Sequence, residues 1–173
     1  MKRDSLVLLS FFDYSSHVDH PPWFRKFDKP VIPFAKASAF SSTKGDVPNQ
    51  KRIMICDDES DVLLAYKIAI ASKYSVLTAS SGEECLRKYD IELRSGGRVD
   101  VLLLDYRLGD MLGDEIACKI RELDGTKVIL ISAYEISTSF LNELKEKNCI
   151  TSFIKKPITM SSLLGIIDKT LNE

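Results

Sequence analysis

The sequence has no apolar run of the ~18 residues that a bilayer-spanning helix requires. Its nearest approach, LVLLSFF at positions 6–12, is seven residues long and follows Lys2 and Arg3. Asp13 comes next and no small-x-small cleavage site follows, so the stretch reads neither as a span nor as a signal peptide, and the expected location is cytoplasmic. Charge is nearly balanced, with a formal net of −1, which excludes a global pull toward nucleic acid or anionic lipid. There is no C-x-x-C pair: Cys56, Cys85, Cys118 and Cys149 are scattered, which argues against a zinc site or a redox motif. Three of the four lie in apolar-periodic segments, so small core residues, reduced thiols in a reducing compartment, are expected. Histidine is scarce, and His17 and His20 are the only two. Their lone H-x-x-H spacing is too common to indicate a metal site.

What is present falls into two unequal parts. Five of the six prolines (Pro21, Pro22, Pro30, Pro33, Pro48) and eight of the fifteen aromatics lie in the first 50 residues, where no period of 2 or 3.6 runs. SSTKGDVPNQ then reads as a linker. Residues 1–50 are therefore expected to be a flexible extension and 51–173 a folded domain. Overall composition, 45% hydrophobic and 28% charged, argues against wholesale disorder.

From Lys51 onward strand and helix patterns alternate strictly. RIMIC, YSVLTA, VDVLLLD, KVILIS and ITSFI read as strands. SDVLLAYKIAIAS, SSGEECLRKYDIELRSGG, GDEIACKIREL, STSFLNELKEKN and TMSSLLGIIDKTLN read as helices. Ser80 or Ser81 with Glu83 or Glu84 three residues on forms a capping box, and Gly96-Gly97 ends that helix. Five βα units predict an α/β fold, a doubly wound parallel sheet with helices on both faces. VLLL and VILI suit central strands, and SVLT suits an edge.

Ligands of open α/β sheets bind at the carboxyl ends of the strands. Asp57-Asp58-Glu59 follows the first strand, Asp105 closes the third, Ser132-Ala133 follows the fourth and Lys155-Lys156-Pro157 follows the fifth. Each alone fits a loop or a cap, and Asp57-Asp58 could cap the first helix. Jointly they gather carboxylates, a hydroxyl and an ammonium at one sheet edge. An Asp at the end of a core strand is tolerable if a divalent cation and a lysine share its charge. Oxygen donors of this kind suit Mg²⁺ rather than zinc. Such a carboxylate can act as a nucleophile toward phosphorus.

These segments resemble the response-regulator receiver domains of two-component signalling, over Lys51 to about Asn172. The resemblance implies a five-stranded sheet of order 2-1-3-4-5, the flavodoxin-like order. IMICDDES implies that Asp57 and Asp58 help hold Mg²⁺, with Asp58 a direct ligand. LLLDYRLGDMLGDE implies Asp105 as phospho-acceptor and a metal ligand, with the Arg107 backbone carbonyl as a further one. VILISAY implies that the Ser132 hydroxyl contacts the phosphoryl group. FIKKP implies Lys156 as the site lysine, a cis bond to Pro157, and Phe153 as the aromatic switch. Arg107 and Tyr134 occupy the two positions that flank the approach of hydrolytic water, and are expected to shield the site and tune hydrolysis. One departure is Gly109, where the family often has proline four residues after the acceptor.

The expected function is a stand-alone response regulator, since no DNA-binding or other effector pattern follows the last helix. It would catalyse only its own Mg²⁺-dependent phosphorylation and dephosphorylation. With no histidine after His20, the phosphoryl donor must be a partner, a sensor histidine kinase or a histidine phosphotransfer protein. The output would be a protein target on the surface of the last helix-strand-helix. A haloacid-dehalogenase-type phosphatase needs a second Asp two residues after the nucleophile, where Arg107 stands. A pseudo-receiver acting as an interaction module is the other alternative, and the complete set of acid, hydroxyl and lysine argues against it.

Overall fold

The computed structural model describes residues 50–173; the expected extension and its H-x-x-H pair lie outside the described residues. Five strands alternate with five helices. They are β1 (Arg52–Cys56), α1 (Ser60–Ala71), β2 (Ser75–Ala79), α2 (Gly82–Arg94), β3 (Val101–Asp105), α3 (Gly113–Leu123), β4 (Lys127–Ser132), α4 (Thr138–Glu146), β5 (Ser152–Lys155) and α5 (Met160–Asn172). All strand pairs are parallel, in the order β2-β1-β3-β4-β5. The order reverses between β1 and β3, which opens the crevice where polar residues can gather.

Burial explains the order. Every residue of β3, and all but the first of β1 and β4, is buried, as strands covered on both faces require. β2 is mostly half-buried and takes an edge. Side chains alternate across the sheet. Ile53, Ile55, Val101, Leu103, Ile129 and Ile131 form one core layer with Tyr66 and Ile70 of α1 and Leu163 and Ile167 of α5. The intervening Met54, Leu102, Leu104, Val128 and Leu130 are equally buried and face the other side, as are Tyr89 of α2 and Ile116 and Ile120 of α3.

The local stop and start signals act as expected. Ser81 caps α2 and its hydroxyl accepts the Glu84 N–H at 3.1 Å. The reciprocal half of the box goes one residue further back: the Glu84 carboxylate accepts the Ser80 N–H at 2.7 Å and the Ser80 hydroxyl at 2.8 Å. After α2 the chain turns at Gly96, whose φ of 77° favours glycine.

The four cysteines do not share one state. Cys56 and Cys85 are free and buried, as expected of small core residues. Cys118 of α3 and Cys149, just before β5, are joined in a disulfide with a Cα–Cα distance of 4.5 Å. The expectation of four reduced thiols is corrected here. α3 and the turn after α4 meet on one side of the sheet, and that proximity of residues 31 apart leaves no local sequence pattern.

Candidate functional site

Three strand ends place the central charges. Cys56 closes β1 between Leu104 and Ala79, so Asp57 emerges beside Asp105, and the Asp57 N–H still donates to the Ala79 carbonyl at 3.2 Å. Asp105 is the last residue of β3, opposite Ile131. Ser132 pairs with Lys155, and the Lys156 N–H donates to the Ser132 carbonyl at 2.8 Å, which delivers the Lys156 side chain to the same edge. The Lys156–Pro157 bond is cis, as the resemblance implies.

Lys156 is the hub. Its ammonium lies 2.6 Å from Asp105 Oδ1 and 2.8 Å from Asp57 Oδ2, with Glu59 at 3.9 Å. The remaining carboxylate oxygens take backbone donors: Glu59 N–H to Asp57 Oδ1 at 3.0 Å and Arg107 N–H to Asp105 Oδ2 at 2.8 Å. Asp57 therefore serves the site and does not cap α1, whose N-cap, Glu59, makes no side-chain cap bond. Burial pushes the Asp105 carboxyl above the ordinary aspartate range, against the lowering by Lys156 and the Arg107 N–H. Burial opposes the Lys156 charge too, but its bonds to Asp105 and Asp57 outweigh that and raise its pKa.

A cavity of about 410 Å³ opens above these groups, lined by Asp58, Glu59, Asp105, Arg107, Leu108, Gly109, Ala133, Tyr134 and Lys156. Asp57, Ser132 and Phe153 are not among the residues that line it. Ser132 is buried and its hydroxyl accepts the Tyr134 N–H at 2.9 Å, which leaves its own proton free to donate. Phe153 is half-buried on edge strand β5, opposite Leu130. The Arg107 guanidinium stands over the Tyr134 ring, 4.3 Å from its centroid, so the two expected shielding residues touch each other.

The donor set fits Mg²⁺. Asp58 and Asp105 carboxylates share the cavity with Arg107, and all offer hard oxygen atoms. Among the described residues, no cluster of three or more acidic, histidine or cysteine ligands stands ready-made for a metal. Formal charge supports the fit to Mg²⁺. Four carboxylates (Asp57, Asp58, Glu59, Asp105) face two cations (Lys156, Arg107), which leaves two negative charges for a divalent ion to balance.

Two contacts of the site are missed in the sequence reading. Gly113 opens α3 against the acceptor strand: a Cβ there would lie 2.4 Å from the Asp105 carbonyl oxygen, so only glycine lets the helix approach. A glycine in a helix first turn, where alanine is favoured by about 1 kcal/mol, was the available signal. Asp110 bonds across to α2, and nothing in its local sequence points there.

The receiver-domain family model of response regulators matches residues 53–168. The chain belongs to that family. Among curated proteins, this receiver is 28% identical over 123 residues to the transcriptional regulatory protein GlrR of Escherichia coli, covering 70% of this chain and 26% of that one. It is 36% identical over 74 residues to the alkaline phosphatase synthesis transcriptional regulatory protein PhoP of Bacillus subtilis, covering 42% and 28%. The receiver thus spans about a quarter of the length of these curated relatives. Among solved structures, a CheY-like response regulator receiver domain protein from Methanospirillum hungatei superposes with a TM-score of 0.62 at 30% identity, covering 71% of this chain and 94% of that one. The response regulator TrrA of Thermotoga maritima, solved in complex with Mg²⁺-BeF, gives a TM-score of 0.57 at 27% identity, covering 69% and 98%. Receivers are signalling domains of two-component systems, and phosphorylation is typical of them. No described helix is long and apolar enough to cross a membrane.

Proposed function

We propose that residues 51–173 form a cytoplasmic receiver that accepts a phosphoryl group on Asp105 from a histidine kinase or phosphotransfer protein. The observation that carries the reading is the Lys156 ammonium bridging Asp105 and Asp57 at the mouth of an oxygen-lined cavity. In the transfer, an Asp105 carboxylate oxygen attacks phosphorus, the P–N bond of the donor breaks, and the imidazole leaves. Lys156 neutralises charge gathering on the phosphoryl oxygens. Asp58, Asp105 and the Arg107 carbonyl would hold Mg²⁺, supported by Asp57. When bound, the ion supplies charge neutralisation at the phosphoryl oxygens. The Mg²⁺-BeF complex of TrrA supports this part of the reading.

Ser132 then donates its free proton to a phosphoryl oxygen, and Phe153 turns inward as the switch. The surface of α4, β5 and α5 carries the change to a protein target. The test of the chemistry is labelling by acetyl phosphate with Mg²⁺. Asp105→Asn abolishes it and keeps the fold, while Asp58→Asn loses it together with metal binding. Labelling of Asp105→Asn on an aspartyl group at the wild-type rate refutes the assignment.

A further inference from the structure

The segment between β3 and α3, residues 106–112, carries Arg107 and one wall of the cavity. Gly109 lies within it, and the nearest atom to a Cβ placed there is Asp58 Oδ2, 3.9 Å away. No other atom lies within 4 Å of that point, and glycine has the widest backbone freedom of any residue. Most of the loop's hydrogen bonds are local: Arg107 N–H to Asp105, Leu108 N–H to the Met111 carbonyl at 3.2 Å, and Gly113 N–H to the Tyr106 carbonyl at 2.8 Å. Asp110 differs. Its carboxylate accepts the Gly82 N–H at 2.8 Å and the Glu83 N–H at 2.9 Å, both in the first turn of α2. These are the unpaired donors at the start of a helix, where a negative charge is favoured. Those bonds help hold the Asp110 carboxyl below its ordinary range, although burial opposes them. Gly82 adds a second contact. A Cβ there would come within 2.8 Å of Met111 Cβ, so its absence lets the loop lie directly on the helix start.

We infer that Asp110 is a positioning residue of the phosphorylation site, fastening the acceptor loop to the N-terminus of α2 so that Arg107 presents its carbonyl to the metal. This rests on the metal-dependent phospho-acceptor reading above. The fastener lies three residues from Arg107 along a chain whose flexible link is Gly109. Without it, the carbonyl moves over a range of positions, and metal binding must restrict that freedom.

The test measures Mg²⁺ affinity by calorimetry, with urea unfolding and amide exchange alongside. Asp110→Ala weakens Mg²⁺ binding at least threefold and exposes the Gly82 and Glu83 amides to exchange. Asp110→Asn, which keeps one acceptor oxygen, falls between. Gly109→Pro in the Asp110→Ala background then restores the affinity, because proline stiffens the loop directly. Gly109 is outside the left-handed region, and its N–H has no partner among the described residues, so a proline there breaks no hydrogen bond. A merely structural role for Asp110 predicts lost stability without this rescue. Mg²⁺ affinity of Asp110→Ala within a factor of two of wild type, with both amides exposed, overturns the fastener alone. A wild-type protein that binds no Mg²⁺ overturns the reading beneath it as well.

Discussion

Replacing Lys156 by methionine keeps a long side chain and removes the charge on which two carboxylates depend. In the native site the Lys156, Asp57 and Asp105 side chains are 15%, 3% and 11% exposed, so water replaces the lost ammonium poorly. Each carboxylate keeps one backbone donor, from Glu59 and from Arg107. Removing one partner of a buried ion pair costs about 3–5 kcal/mol. The open cavity above Asp105 admits some solvent, which puts the expected loss near the lower end, about 3 kcal/mol at about pH 7. The loss has a definite pH dependence. In the variant the Asp105 carboxyl, already raised by burial, loses the lysine that lowers it, so the folded state binds more protons and stability falls as pH rises through that window. The deficit relative to wild type is therefore largest near neutrality and shrinks toward about pH 4, where protonation removes the uncompensated charge. A divalent cation relieves the same charge, so saturating Mg²⁺ narrows the deficit at neutral pH. Urea unfolding followed by far-ultraviolet circular dichroism measures all three conditions. A deficit below about 1 kcal/mol at neutral pH, or one equally large at about pH 4, would refute the argument that Lys156 is the counter-charge of the site.

The other expectations are more local. Glu84, lowered to about 2 by Lys88 and then by the Ser80 N–H and hydroxyl, contributes stability that is present above its unfolded pKa and lost as pH falls from about 4.5 toward 2. Glu84→Gln removes about 1 kcal/mol or less at neutral pH after solvent screening, and its urea midpoint meets that of the wild type near pH 2. Arg107→Asn combined with Tyr134→Glu breaks the stacked pair over the site, and phosphate release after removal of the phosphodonor rises about tenfold, roughly 1.4 kcal/mol off the barrier; an unchanged or slower rate sinks the shielding idea. The Cys118–Cys149 bond closes a loop of 31 residues, which corresponds to about 3–4 kcal/mol of stability over the Cys118→Ser, Cys149→Ser variant. Thiol titration of the denatured, unreduced protein finds two free cysteines, and a count of four shows that the bond does not form.

Much of this was legible because it is written in short-range rules. The VLLL and VILI runs announced β3 and β4 through burial on both faces, and the edge position of β2 followed from its weaker SVLT. Asp57, Asp105, Ser132 and Lys156 could be brought together on paper because a parallel sheet delivers all its strand ends to one edge. The Lys156 bridge to Asp57 and Asp105 reports that same geometry. What stayed hidden depends on how elements approach in space. The Ser80 half of the capping box differs from the expected register by one residue, because Glu84 is long enough to reach either N–H. The disulfide joins α3 to Cys149 in the turn after α4, and apolar periodicity, which placed three of the four cysteines in the core, does not say which thiols face each other. Asp110 reads as an ordinary loop aspartate until α2 is set beside it.

The loop after β4 ties the proposed signal to its proposed lifetime. The Ser132 hydroxyl is held as an acceptor by the Tyr134 N–H, and the Tyr134 ring is held by Arg107. A phosphoryl group on Asp105 replaces one carboxylate charge with nearly two. In the proposed switch Ser132 supplies a hydroxyl proton, and turning that hydroxyl toward the phosphoryl group stretches the bond from Tyr134. In that reading the movement that reports phosphorylation also pulls Tyr134 away from Arg107, and the shield loosens as the switch is thrown. Switching and hydrolysis then share one mechanical element, the Ser132-Ala133-Tyr134 turn. Ser132→Ala separates them: Tyr134 stays on Arg107 when Asp105 is phosphorylated, the output surface of α4, β5 and α5 does not respond, and phosphate is released more slowly than from wild type. Faster release from Ser132→Ala would show that the hydroxyl protects the phosphoryl group and does not open the shield.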